Sequence, residues 1–356
     1  MRKPKKKQAQ NYKISYKQQR QNTKQEDTEQ RSLQTCAKRD LTLQLHPFDT
    51  WFFRESRPHD AAGASELSSL FPPPIRTLAG ALRTFLGEQM EIDWKTLQCK
   101  NSNFDFGKSL GNAEHLGELQ LNGAWTTYQG QRLYPAPLYL MQKEASLQRL
   151  LIGKPVRCDL GTVRLPEMPK NCVGYKNLEQ QWLTASGLRL CLEGKVPNAS
   201  DIVKADDLFS HEPRLGIARD NEKRKVIDGK LYQTQHLRLK DEVHIELDAK
   251  NLDARLLEVL STQEKSTILR LGGEGRMASI TTSDTAEPFP FIKKQKTDTL
   301  LIHFVTPADF NGKMFPENFT QSEQNGQTVW QGEINGLELT IEAAVIGKSH
   351  RDGGWD

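Results

Sequence analysis

The chain is short of cysteine, has no long apolar run, and lacks the compact motifs that announce a cofactor or a metal. Its five cysteines (Cys36, Cys99, Cys158, Cys172 and Cys191) are an odd number with no close pair. No C-x₂-C pair is available for zinc and no disulfide framework is implied, so reduced thiols in a cytoplasmic protein are expected. No stretch approaches the roughly 20 apolar residues of a membrane span. The charged N-terminus is followed by no hydrophobic region, which excludes a secretory signal. The eight histidines include no pair four residues apart and no H-E-x-x-H. A G-x-S-x-G elbow, a Walker loop and a dinucleotide fingerprint are all missing. The expectation is a protein without cofactor, metal or membrane.

What is there begins with charge. The net charge of +4 hides an asymmetry: residues 1–40 carry twelve Lys/Arg and four Asp/Glu, and the remaining residues carry 37 basic and 41 acidic side chains. The leader is therefore +8 and the body −4, so any basic surface on the body must come from local clustering. Residues 1–40 are rich in Gln and Lys, with too few apolar positions to offset the entropy of ordering, and are expected to be disordered. Such a leader reads equally as a polyanion-binding arm or as a solubilising or misassigned start.

The body opens at Leu41 with LTLQLHPF, where Leu41, Leu43 and Leu45 alternate with Thr42, Gln44 and His46 in the period of a half-buried strand. Pro72, Pro73 and Pro74 then prevent an early helix start, and a helix is expected from Arg76. Leu78, Leu82, Phe85 and Leu86 form its apolar stripe, Arg76, Gly80 and Arg83 the opposite face, and Gly87 a C-cap. AWTTYQGQRLYPAPLYLM reads as a hairpin. LRLCLEG from Leu188, LYQTQHLRL from Leu231, VHIELDA from Val243, DTLLIHFVT from Asp298 and LELTIEAAVIG from Leu337 read as strands. LDARLLEVL from Leu252 reads as an amphipathic helix, and TILRLGGEGRMASI from Thr267 as two strands joined by a glycine turn. The fold class is α+β: two ferredoxin-like (RRM-related) domains with long loop insertions after a disordered basic tail. The boundaries are 1–40 for the leader, 41–225 for the first domain and 226–356 for the second.

The recurrent chemical feature is arginine beside glycine or an aromatic ring. WFFRESRP holds Trp51, Phe52, Phe53, Arg54 and Arg57. PRLGIARD holds Arg214, Gly216 and Arg219. LRLGGEGRM holds Arg270 and Arg276 around Gly272, Gly273 and Gly275. Glycine lets a phosphate approach the backbone, arginine pairs with phosphate or stacks on a base, and aromatic rings stack on unpaired bases. Together these suit single-stranded RNA. Each has a plainer reading: the three aromatics as core, LGGEGR as a hairpin turn, Arg76 and Arg83 as a solvated helix face. His46, at the end of the first strand, is the one candidate general base for a metal-independent ribonuclease.

FDTWFFRESRP (Phe48 to Pro58) followed by SLFPPPIRTLAGALRT (Ser69 to Thr84) resembles the N-terminal signature of the third subunit of the Cmr complex. That complex is the type III-B CRISPR–Cas effector, and the subunit family belongs to the RAMP superfamily. Pro213 to Leu239, the LRLGGEGRMA block and the terminal GGWD resemble later blocks of the same family. The resemblance implies two ferredoxin-like domains and a non-catalytic role in antiviral defence. The chain would grip the repeat-derived 5′ tag of the CRISPR RNA and dock on the large polymerase/cyclase-like subunit and a neighbouring RAMP backbone subunit. Carried over by matched motif, the implied RNA-binding positions are Arg54, Arg57, Arg76, Thr77, Gly80, Arg83, Arg214, Arg219, Gly272, Gly273 and Arg276. A CRISPR-RNA processing endoribonuclease on the same scaffold, using His46, is the alternative. The family pattern continues past a GGWD-like block, so the chain is expected to be a fragment or the product of a disrupted gene, with a second domain short of an edge strand. The basic leader is not part of the family pattern.

Overall fold

The computed structural model describes residues 39–54, 66–99, 105–112, 115, 117–220, 222–261, 267–283, 288–291 and 297–348. Arg57 and nearly all of the expected leader lie outside them. The last two leader residues open the first strand.

The fold is mixed, with mostly antiparallel sheets. In chain order its main elements are β1 (Arg39–Pro47), α1 (Ile75–Gln89), β2 (Gln120–Tyr128), β3 (Gln131–Pro135), β4 (Gln181–Leu183), α2 (Ala185–Leu192), β5 (Ile202–Lys204), β6 (Phe209–Asp220), β7 (Lys225–Leu239), β8 (Val243–Leu252), α3 (Ala254–Ser261), β9 (Ile268–Arg270) and β10 (Met277–Ser283). Eight strands form one sheet in the order β5-β4-β3-β2-β8-β1-β10-β9. The long strands β6 and β7 form a separate antiparallel hairpin, with the two-residue strand Glu66–Leu67 parallel to β7.

The chain divides into two compact units. Among the described residues, the smaller takes those within 39–41, 86–120 and 249–265. Leu86, Met90, Ile92, Phe106, Leu110, Leu252 and Leu256 are buried in it, and Asp253 caps α3 by accepting from the Leu256 amide at 3.0 Å. Gly87 was expected as a C-cap, but α1 runs on to Gln89 and the glycine has another task. A Cβ there would lie 2.4 Å from Cη2 of Trp94, so the missing side chain is what lets that ring lie on the helix.

The larger unit takes residues 42–85, 121–248 and 266–356. In β1, Leu43 and Leu45 are buried as the alternation requires, with Leu45 opposite Ile280 of β10. The second face of this strand is not open to water: Thr42 is buried as well. The expected hairpin is β2–β3, with Tyr128 opposite Gln131 and positive φ at both Gln129 and Gly130, the backbone of a two-residue primed turn. VHIELDA, LDARLLEVL and the two strands flanking the glycine turn fall where the pattern puts them.

Two expected strands are something else. LRLCLEG belongs to helix α2, because Thr184 at its N-cap accepts from the Gly187 amide at 3.2 Å and itself donates to Asp201 at 2.9 Å. Leu188 and Cys191 then share the buried face at helical spacing. DTLLIHFVT forms no strand, since residues 297–308 join no ladder. His303 Nε2 lies 3.1 Å from the Pro135 carbonyl, while Leu300, Leu301, Ile302 and Phe304 remain exposed. An apolar run takes strand form only where an edge accepts its backbone groups.

Candidate nucleic-acid interface

Three sequence blocks that lie far apart in the chain meet at one carboxylate. Asp49 follows β1, Arg214 and Arg238 face each other's strands in the β6–β7 hairpin, and Arg276 ends the β9–β10 turn. Arg214 Nη2 donates to Asp49 Oδ2 at 2.8 Å, Arg238 Nη2 donates to Oδ1 at 2.8 Å, and Arg276 Nη1 reaches Oδ2 at 3.3 Å. Glu212 accepts from Arg214 Nη2 at 2.6 Å and from Arg238 Nε at 2.7 Å. The hydrogen bonds from Arg214 and Arg238 hold both carboxyls below the usual carboxylate range, and the same bonds raise the two guanidiniums. Two carboxylates against three guanidiniums leave the cluster one positive charge.

Backbone contacts bind the same blocks. Trp51 exchanges amide hydrogen bonds with Leu237 at 2.9 and 2.8 Å, and the Gly273 amide donates to the Phe52 carbonyl at 2.8 Å. His236, fully buried, sits between Thr50 and Glu274: its Nδ1 is 3.1 Å from Thr50 Oγ1 and its Nε2 is 3.0 Å from Glu274 Oε2. Burial, then Arg276 and Arg214, pull its pKa down against Glu274, so the ring is neutral. A carboxylate only accepts, which puts the proton on Nε2 and makes Thr50 the donor to Nδ1. Phe52 stacks on the imidazole with centroids 5.1 Å apart.

The glycines of LGGEGR serve this junction. Gly272 has φ +95°, and a Cβ there would lie 2.9 Å from the Phe52 carbonyl oxygen. At Gly273 a Cβ would lie 3.1 Å from the Phe52 ring. Both positions are taken up by close approach of protein. Trp51, Phe52 and Phe53 are buried at 0, 4 and 2 % exposure, so the core reading of these rings holds and the stacking reading does not.

Of the other positions singled out in the sequence, Arg54 is exposed and its backbone bridges Ser69, close to where the chain turns into α1. On α1, Arg76 and Gly80 are exposed, Thr77 and Arg83 are half-buried, and a Cβ at Gly80 would meet nothing within 4 Å. Burial lowers the Arg83 pKa. The backbone of Arg219 belongs to β6; its side chain and all of Arg57 fall outside the described residues. Asp49, Glu212 and Arg238 were not singled out in the sequence. Their signal was present, since Glu212, Arg214 and Arg238 all sit in or beside the block quoted around Arg214, but nothing in it measured distance.

His46 lies elsewhere in the larger unit, on the second face of the sheet. Its ring is 4.8 Å from that of His244, whose Nε2 is 3.4 Å from Glu246 Oε1. Burial lowers its pKa, and His244 adds to the effect against Glu246. Beside this pair, Arg132 donates to Glu246 at 2.5 Å and to Asp248 at 2.5 and 3.0 Å, while Thr42 and Trp125 also donate to Asp248. Burial pushes Glu246 up, yet hydrogen bonds from His244, Arg132 and Gln44 outweigh it and bring its pKa to about 2. Among the described residues, no group of three or more His, Cys, Asp and Glu could hold a metal ion, and no helix is long and apolar enough to cross a membrane.

A family model described as CRISPR-associated protein (Cas_Cmr3) matches residues 43–356. No curated protein matches the chain. Similar solved structures include the type III-B Cmr-beta complex bound to cognate target RNA and AMPPnP. The matched chain there is 18% identical with a TM-score of 0.36, over 74% of this chain and 66% of that one. A second, of Cmr-beta bound to cognate target RNA, gives 18% identity and a TM-score of 0.38 over 73% and 66%. The chain thus spans just under two thirds of the length of those two relatives.

Two outcomes follow from this geometry. Gly272→Ala forces a side chain into a left-handed backbone against the Phe52 carbonyl and is expected to cost about 1–3 kcal/mol. Urea unfolding of the purified chain without RNA measures it; an unchanged midpoint would show that the glycine is not there for Phe52. Glu246, whose folded pKa lies below its unfolded one, adds stability that is complete above about pH 4.5 and is lost as pH falls towards 2. Between pH 5 and pH 3 the urea midpoint of Glu246→Gln should therefore fall less steeply than that of the wild type.

Proposed function

The chain belongs to the Cas_Cmr3 family of CRISPR-associated proteins, and from that premise we propose that it is a non-catalytic, RNA-binding subunit of a type III-B CRISPR effector. It grips the repeat-derived 5′ tag of the CRISPR RNA and docks on the large polymerase/cyclase-like subunit beside a RAMP backbone subunit. The observation that carries this reading is the convergence of the three arginine-bearing blocks on Asp49. Each guanidinium has five N–H donors. The carboxylates occupy some of them and hold each fork in one orientation, which lowers the entropy lost when a phosphate arrives. The exposed face of α1, with Arg76 and Gly80, offers a further surface for the backbone of the strand.

The strand order supports the ferredoxin-like part of the proposal. β1 leads through α1 to β2, β8 leads through α3 and the edge strand β9 to β10, and the four strands lie in the order β10-β1-β8-β2. This is the order of one ferredoxin-like unit, with residues 129–242 inserted between its halves and carrying the β6–β7 hairpin. On this proposal the motif draws on both sides of residue 225. His46, the candidate base of the alternative reading, packs against the ring of His244 with centroids 4.8 Å apart.

The test is equilibrium binding of a single-stranded RNA bearing the tag, measured by anisotropy across a salt series. The double variant Arg76→Glu, Arg83→Glu should weaken binding and reduce the salt slope by roughly 0.7 for each phosphate that no longer meets a guanidinium. Wild-type affinity and slope in the double variant would remove α1 from the interface.

A further inference from the structure

Gly216 of β6 stands opposite Tyr232 of β7. A Cβ on Gly216 would lie 2.1 Å from the tyrosine Cζ and 2.5 Å from its hydroxyl oxygen. The ring therefore lies directly on the glycine backbone, flat across the neighbouring strand. An aromatic ring over a strand glycine stabilises a hairpin by covering the bare backbone, and that accounts for one side of the ring. The tyrosine nevertheless stays 37 % exposed. It is a rigid π surface presented to solvent.

Its surroundings point to a ligand class. Strand residues two apart share a face, so Arg214 lies on the same face as Gly216 and its partner Tyr232. Arg214 is the guanidinium fixed by Asp49 and Glu212. Beyond the ring, towards the turn of the hairpin, Lys223, Arg224 and Lys225 are exposed. A pinned aromatic between an oriented arginine and a basic turn matches the chemistry of a single strand, with stacking for the base and cations for the phosphates. Glycine at position 216 serves the ring, and the ring meets the nucleic acid.

We propose that Tyr232, held flat by Gly216, is a stacking platform for an unpaired base of single-stranded RNA, a site that rests on the RNA-binding reading above. Stacking of this kind tolerates any base, so the platform contributes affinity and position and does not read sequence.

The experiment uses the full chain and a single-stranded RNA carrying 2-aminopurine at successive positions, with anisotropy for affinity and 2-aminopurine emission for stacking. Tyr232→Phe keeps the ring and should bind within about twofold of wild type with quenching intact. Tyr232→Ala should lose roughly 5- to 150-fold in affinity, the range for one stacked base, together with the quenching at one position. Tyr232→Leu covers the glycine without a π face. It should unfold at the wild-type temperature yet lose binding as the alanine variant does. Leu215→Ser, on the opposite face of the hairpin and 72 % exposed in the wild type, should bind as the wild type does. Wild-type affinity in Tyr232→Leu or Tyr232→Ala would overturn the platform while leaving the RNA-binding reading in place. An equal loss in Leu215→Ser would also overturn it, because the whole arm and not one face would then be engaged. A wild-type chain with no affinity for RNA would overturn the RNA-binding reading itself and the platform with it.

Discussion

A single carboxylate among three guanidiniums is the constraint on which the arrangement of this chain's motif blocks depends. Asp49 is 46 % exposed, and ion pairs in such a position contribute about 0–1 kcal/mol each. Its importance is geometric. It ties the segment after β1 to both strands of the β6–β7 hairpin and to the turn before β10, three pieces with no sequence proximity. Glu212, itself on β6, joins Arg214 and Arg238 across the hairpin, and neutral His236 carries a second tie from Thr50 to Glu274. Remove the carboxylate and the three guanidiniums lose their common acceptor, leaving the Thr50–His236–Glu274 tie and the backbone bonds at Phe48, Trp51 and Gly273 to hold the blocks in register.

The second charged cluster obeys different physics. Arg132 is 4 % exposed, so its charge is stable only because Glu246 and Asp248 accept its donors and Thr42, Gln44 and Trp125 satisfy the remaining carboxylate lone pairs. Burying such a set gains little net stability over apolar packing. It does fix the register of β3 and β8, because a slip of one residue in either would turn its charges to the other face of the sheet, while Thr42 and Gln44 of β1 and Trp125 of β2 would lose their acceptors on slipping. The Asp49 cluster holds surface segments; the Arg132 cluster holds the sheet.

Much of this could be read in the sequence where a local rule decides the outcome. Leucine alternation placed β1, the proline run and apolar stripe placed α1, and the AWTTYQGQRLYPAPLYLM stretch was legible as the β2–β3 hairpin. Local rules failed where a tertiary contact chose between two permitted forms. LRLCLEG fits period two and a helical face alike, and the Thr184 cap with its Asp201 partner decided for the helix. DTLLIHFVT has the composition of a strand but joins no ladder. The glycines were the instructive case. Their number and their arginine neighbours were legible; close approach of a phosphate was expected at Gly216, Gly272 and Gly273, and a C-cap at Gly87. What approaches could not be inferred: the Phe52 backbone at Gly272, the Trp94 ring at Gly87 and the Tyr232 ring at Gly216. Aspartate and glutamate partners went unnoticed because a run of basic residues carries no distances.

The claim that Asp49 holds the three blocks together is tested most directly by amide hydrogen exchange on Asp49→Ala. Protection should fall together in residues 48–54, in the base of the β6–β7 hairpin and in residues 271–276, while β2 and β3 stay as protected as in the wild type. A fall confined to the amides beside position 49, with the hairpin and the glycine turn unchanged, would contradict it.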